Sequence, residues 1–228
     1  MKIIVCGDIH GSWGYLNTMI NTKKPDIILQ CGDFGYWPSH EVKSIGLYDT
    51  SYIRKRIYKV CGMKNPNTKI YWCDGNHEEF PKLHALKDNE ICPNVFYMKR
   101  GSTLTLPDKR KVLFMGGGDS IDKNLRTPGY DWFPEELISQ KDIYNLPDEK
   151  IDIVISHTCP EEFDILGGIK EKYYDPSRKA LSVVLKKYRP SLWYFGHWHM
   201  YKEGFNEGVK WFALNMAGNT NWWKVLKG

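Results

Sequence analysis

No two of the six cysteines in this 228-residue sequence form a Cys-x-x-Cys pair, which excludes a zinc ribbon or a dithiol redox motif. Cys6, Cys31, Cys61, Cys73, Cys92 and Cys159 are scattered, and three of them close apolar runs. They read as small buried apolar residues. No apolar stretch approaches the ~18 residues that a membrane span requires, so no membrane partner is expected. The first apolar run begins directly after Lys2, leaving no room for a leader peptide, and the expected location is the cytoplasm. Repeats, low-complexity tracts and flexible linkers are missing too. Charge of one sign is scarce: a net charge of +5 does not by itself point to nucleic acid. A hydrophobic content of 42% and a charged content of 26% are ordinary for a soluble globular chain, and the length suits a single domain over residues 1–228.

What the sequence does have is a series of short apolar runs, each ending in a turn that carries ligand-type side chains. Ile3-Ile4-Val5-Cys6 leads into Gly7-Asp8-Ile9-His10, and Ile27-Ile28-Leu29-Gln30 into Cys31-Gly32-Asp33. Ile70-Tyr71-Trp72-Cys73 leads into Asp74-Gly75-Asn76-His77-Glu78. Ile151-Asp152-Ile153-Val154-Ile155-Ser156 leads into His157, and Leu192-Trp193-Tyr194-Phe195 into Gly196-His197-Trp198-His199. Runs of this length bounded by glycine read as buried parallel strands. Amphipathic periodicity predicts helices over about 13–23, with Tyr15, Leu16, Met19 and Ile20 inward, and over 51–61, 79–86 and 177–188. On the helix over 51–61, Arg54, Lys55, Arg56 and Lys59 read as a solvated face, with a phosphate-backbone track as the alternative. Further strands are expected over 95–98, 104–106, 111–115, 209–214 and 222–226. The fold class is α/β; a two-sheet mixed β-sandwich flanked by helices accommodates the extra strands better than one open sheet.

Strand carboxyl ends in α/β folds line a common crevice. Asp8, His10, Asp33, Asn76, His157, His197 and His199 are therefore expected to converge, in numbers that suit two metal ions. On an extended backbone, residues two apart share one side, so Asp8 and His10 can touch one ion, and His197 and His199 repeat that logic. Trp198 between them is expected to point away. Asp33 can bridge two ions with its two oxygens. Mixed nitrogen and oxygen donors without thiolate suit two divalent ions, Mn²⁺ first, with Fe or Zn²⁺ as alternatives.

The ordered set Gly7-Asp8-Ile9-His10-Gly11, Gly32-Asp33, Gly75-Asn76-His77-Glu78, His157 and Gly196-His197-Trp198-His199 resembles the calcineurin-like metallophosphoesterase family. The resemblance implies a first metal held by Asp8, His10, Asp33 and His199, and a second held by Asp33, Asn76, His157 and His197. His77 would stay off the metals as the catalytic residue facing the substrate. Two ions roughly 3.5–4 Å apart would share a water and clamp a phosphoryl oxygen. The resulting hydroxide would attack phosphorus while protonated His77 assists the leaving oxygen. Glu78 would hold its loop, and Asp74 is a candidate to orient His77.

The stretch Gly32-Asp33-Phe34-Gly35-Tyr36-Trp37-Pro38 lacks the arginine that grips phosphate in the protein phosphatases of that family. Tyr36 stands where the repair nucleases place a second histidine, and Asp8 stands where the lariat-debranching enzymes have cysteine. These departures, with nine tryptophans and fourteen tyrosines, tilt the expected substrate toward a phosphodiester or nucleotide. A phosphomonoester or phosphoprotein is the alternative, and nucleic acid is a candidate partner. Some cation should replace the missing arginine. The long loop over 116–134 offers Arg126 first and Lys123 second, and Trp37 could stack a leaving group. A non-catalytic scaffold of the same fold is the competing class, disfavoured because every ligand type is retained.

Overall fold

The computed structural model describes residues 1–39, 67–167 and 174–226; the helix expected over 51–61 and its basic residues lie outside them. Strand β1 (Ile3–Cys6) is followed by helix α1 (Trp13–Lys23), β2 (Ile27–Gln30), β3 (Lys69–Trp72) and the short helix α2 (Phe80–His84). Next come β4 (Glu90–Cys92), β5 (Val95–Tyr97), β6 (Thr103–Thr105) and β7 (Lys111–Met115). After α3 (Gln140–Tyr144) the chain forms β8 (Ile153–Ser156), α4 (Pro176–Tyr188), β9 (Leu192–Phe195), β10 (Lys202–Asn206), β11 (Val209–Ala213) and β12 (Trp223–Val225).

The strands form two six-stranded sheets, ordered β12-β1-β2-β3-β5-β4 and β10-β11-β9-β8-β7-β6. Each has a parallel centre, β1-β2-β3-β5 and β11-β9-β8-β7, and an antiparallel strand on each edge. The parallel strands are the near-continuous apolar runs, as expected for strands covered on both faces. Alternation along β1 assigns the layers: Ile3 and Val5 face the sandwich interior with Leu29, Phe114, Ile153 and Tyr194. Ile4 and Cys6 face outward beneath Trp13, Leu16 and Ile20 of α1. On the far side α4 lays Leu181, Val184 and Leu185 over Val154, Trp193 and Phe195.

Helix α1 spans the expected residues, but Tyr15 is 53% exposed; the buried stripe is Trp13, Leu16, Met19 and Ile20. The 3.6 period sets Tyr15 off that stripe. Strands β4 and β10 and helix α3 were not expected. Cys6, Cys31, Cys73 and Cys159 are buried free thiols, whereas Cys92 is disulfide-bonded. Among the described residues no helix is long and apolar enough to cross a membrane.

Candidate metal centre

The carboxyl ends of β1, β2 and β3 in one sheet meet those of β7, β8 and β9 in the other, so the site straddles the mouth of the sandwich. The loops are tied across that mouth by main-chain bonds. Ile9 and His10 N–H both donate to the Asp33 carbonyl (3.0 and 2.8 Å), and Ala217 N–H donates to the Asp8 carbonyl (2.8 Å). Asp8 also accepts from His197 N–H, at 3.0 Å on Oδ1. The approaches are close: a Cβ on Gly196 would stand 1.9 Å from Asp8 Oδ1, and one on Gly75 2.0 Å from Asp33 Oδ1. Glycine before His197 and before Asn76 is therefore a packing requirement of the ligand carboxylates themselves.

Two donor groups result. In the first, one ligand atom from each of Asp8, His10, Asp33 and His199 lies within 4.8 Å of all the others. His199 Nε2 is 3.0 Å from Asp8 Oδ2 and 3.1 Å from His10 Nε2, and His10 Nε2 is 3.5 Å from Asp33 Oδ2. In the second, Asn76 Oδ1 lies 2.8 Å from His157 Nε2 and 3.0 Å from His197 Nδ1. His157 Nε2 is 3.4 Å from Asp33 Oδ1. Asp33 thus turns one oxygen to each group, and Oδ1 is fixed by the N–H groups of Asn76 and His77, both at 2.8 Å. His157 Nδ1 lies 2.9 Å from the Cys31 carbonyl, which fixes its proton on Nδ1 and leaves Nε2 to face the group.

Extended geometry does not arrange these ligands. His10, Asp33, His197 and His199 all have positive φ (45°, 50°, 68° and 47°), a left-handed region that costs ~1–3 kcal/mol for a residue with a Cβ. The expectation that residues two apart serve one ion holds for Asp8 and His10, which meet in the first group, and fails for His197 and His199. His197 turns into the second group and His199 into the first. Trp198 is half-buried and lines the cleft, with the Arg178 guanidinium 5.4 Å from its ring centre.

Buried carboxylates facing imidazoles are the charge pattern of a cation site. Burial pushes the Asp8 carboxyl up, but its hydrogen bonds to His10 and His199 outweigh this and hold it well below the usual range. Asp33 is likewise held low, burial being outweighed by His157, His77 and His10. Burial is the largest cause that depresses His197, to about 3, while the bond to Asp8 raises His199. Four imidazoles, two carboxylates held ionised and one amide oxygen, converging on strained backbone, fit two divalent ions of borderline hardness.

Beside the second group His77 Nε2 lies 2.7 Å from Arg126 Nη2. Guanidinium only donates, so Nε2 accepts and the ring is neutral. Burial first, then His10 and Arg126 against an opposing Asp33, hold it down to about 3. The expectation that His77 stands ready protonated is not how the ring stands here. Arg126 is also held by Asp122, and its Nη1 is buried without a partner among the described residues. Lys123 pairs with Asp119 at 2.9 Å and does not line the cleft. Trp37 does not line it either: it packs 6.2 Å from Phe133 between ring centres, and its indole N–H donates to the His77 carbonyl at 2.9 Å. Asp74 does not touch His77; it takes bonds from Tyr97 and, at 2.9 and 2.6 Å, from Arg100. Glu78 does hold its loop, accepting from the N–H groups of Phe34, Gly35 and Tyr36.

The calcineurin-like phosphoesterase profile matches residues 1–201. The chain belongs to that family. Family members use divalent metals, and the Asp8–His10–Asp33–His199 group is one that could hold such an ion. The calcineurin-like fold is shared with the solved structure of TT1561 of Thermus thermophilus. Identity is 13%, coverage is 95% of this chain and 89% of that one, and the TM-score is 0.57. It is shared also with GAP50, the anchor in the inner membrane complex of Plasmodium, at 15% identity, 100% and 77% coverage and a TM-score of 0.51. No curated protein sequence matches. Two residues that sequence reasoning missed stand behind this family site: Ser120, bonded to Asn76, and Glu136, bonded to Ser120. No motif marks either one.

Proposed function

We propose that this chain is a metal-dependent phosphoric ester hydrolase that acts by preference on phosphodiesters. The observation that carries the reading is Asp33, whose two oxygens face two separate donor groups. Two divalent ions bound there would supply Lewis acidity toward a phosphoryl oxygen and a hydroxide nucleophile near neutral pH.

The chain's own residues do the rest. A cleft of about 510 Å³ opens over Asp33, Asn76 and His77. Arg126 is the one Lys or Arg among the described residues lining it, facing Asp119, Asp122 and Asp175. Its guanidinium, once turned from Asp122 and His77, would offer a phosphate a planar fork that suits two bonds. Engagement of Arg126 by phosphate frees His77 Nε2 to take a proton from solvent and pass it to the leaving oxygen. Among the described residues, one cation beside Asp119, Asp122 and Asp175, with Asp33 turned to the ions, favours the single charge of a diester over the double charge of a monoester. Trp198 and Tyr174, also in the lining, offer faces for an apolar, aryl or nucleoside leaving group.

The test is metal content and turnover of aryl phosphodiesters and aryl phosphomonoesters with Mn²⁺ added. The wild type should bind two ions and prefer the diester. Asp33→Asn should lose more metal and more turnover than Asp8→Asn, since Asp33 alone serves both groups. Two retained ions and near-normal turnover in Asp33→Asn would contradict the assignment.

A further inference from the structure

Asn76 is the only amide in the candidate donor set, and an amide has a wrong way round. Its oxygen can bind a cation and its NH₂ cannot. Asn76 Oδ1 faces His157 and His197, while Nδ2 donates to Ser120 Oγ at 2.9 Å. Something must hold that orientation, and the hydrogen bonds behind Ser120 show what. Ser120 Oγ donates to Glu136 Oε2 at 2.7 Å, and Ser120 N–H donates to Glu136 Oε1 at 2.8 Å. The Trp132 indole N–H donates to the same Oε1 at 3.0 Å. Glu136 and Ser120 are 0% and 1% exposed, so water does not scramble the pattern.

We propose that Glu136 and Ser120 form a polarity relay that locks the Asn76 amide with its oxygen toward the second donor group. Glu136 meets three donors and acts only as an acceptor. Ser120 must therefore spend its hydroxyl proton on Glu136, and its oxygen is left able only to accept. Asn76 can satisfy that oxygen only with Nδ2, which turns Oδ1 to the metal side. Glu136 and Ser120 are positioning residues that act through Asn76; neither stands in the donor set.

The relay can be reversed by one atom. In Glu136→Gln the Oε1 position still faces two N–H donors and must stay oxygen. The new NH₂ then falls at the Oε2 position and donates to Ser120 Oγ. The Ser120 proton is released toward Asn76, whose amide flips and presents NH₂ to His157 and His197. Ser120→Ala only removes the lock, leaving the amide free to turn either way.

The inference rests on the two-group reading of the site, and its test is Mn²⁺ binding by calorimetry with elemental analysis, which needs no substrate. The wild type should take up two ions. Glu136→Gln should weaken one of them by ~10–100-fold, the usual effect of losing an outer-shell partner, and leave the other unchanged. Ser120→Ala should weaken the same ion by less, and it carries the test alone should the glutamine variant not fold. In an Asn76→Asp background, where either end of the side chain is oxygen, adding Glu136→Gln should cost nothing further. Wild-type affinity for both ions in Glu136→Gln and Ser120→Ala would overturn the relay. So would an equal loss in the Asn76→Asp background, which would mark general damage. A wild type that binds fewer than two ions would overturn the reading of the site and the relay with it.

Discussion

His77 and Arg126 are 49 residues apart in sequence and 2.7 Å apart at their nitrogens. One only donates, so the other must accept, and this contact adds to the burial that keeps His77 neutral beside the donor groups. Arg126 and Lys123 have the same charge and sit in the same loop, yet only Arg126 reaches the cleft; Lys123 is taken by Asp119 four residues before it. If Arg126 grips phosphate, Arg126→Ala should lower kcat/KM for an aryl diester by about tenfold or more, the scale of one charge-assisted bond. Metal content and melting temperature should hold. Arg126→Lys should recover little, because an ammonium cannot bond two oxygens in a plane. Unchanged kinetics in Arg126→Ala would remove the clamp. At this scale the sequence made residue types legible but not their partners. Trp37, expected to stack a substrate, supports the His77 carbonyl from the core instead.

The parallel strands were legible as elements because burial on both faces leaves an uninterrupted apolar signature. Lys111–Met115 has its expected limits, and the others differ by up to two residues at an end, β8 starting at Ile153 rather than Ile151. Strands β4 and β10 were not legible: Glu90-Ile91-Cys92 and Lys202-Glu203-Gly204-Phe205-Asn206 are edge strands, half open to water, and carry no such signature. The loops depend on one another more than on their own sequences. The turn Phe34–Tyr36 donates its three N–H groups to the carboxylate of Glu78, more than forty residues away. Glu78→Ala would leave these buried donors unpaired at about 1–3 kcal/mol each before relaxation. A melting temperature lower by ~5–10 °C is the expected result for a chain of this size, together with weaker metal uptake, because Asp33 adjoins that turn. A calorimetric scan of the metal-free protein and a Mn²⁺ titration check both halves. An unchanged melting temperature would mean the turn holds its shape alone.

At the scale of the molecule, the sandwich concentrates buried ionisable groups at one mouth, so acid should act there first. In the metal-free protein His77 and His197 are each held down to about 3, while an unfolded histidine takes a proton near ~6.5. Between those values the unfolded chain binds more protons than the folded one, so stability falls as pH drops from about 6.5 toward 3. His199, raised by Asp8, has the opposite sign: its contribution is present below ~6.5 and is lost as pH rises through its raised value. Asp8 and Asp33, both lowered, contribute above their ordinary ~3.8 and lose that contribution only at lower pH. Glu78, Glu136 and Asp175, raised by burial, share the sign of His199, so the depressed rings are read by difference: the change in melting temperature from pH 7.5 to pH 5 should be more destabilising in the wild type than in His77→Phe, measured by circular dichroism on metal-free protein. The same change in both would show that the His77 ring is not buried neutral.

The sequence by itself determined the α/β class, the parallel strands and the residue types that would collect at their ends. Those are fixed by composition and period within a few residues, and strand direction sends the ends to one side. The family resemblance of the sequence already assigned each ligand to a group; only the tertiary structure shows what parts them. His197 and His199 are two residues apart and part company because left-handed turns, held by bonds such as His197 N–H to Asp8, redirect them. It also decided which way Asn76 faces, through Ser120 at a separation of 44 residues and Glu136 beyond it. A hydrogen bond between distant loops leaves no periodic trace in either one, since a buried serine or glutamate is dictated by a neighbour that exists only once the two sheets have packed.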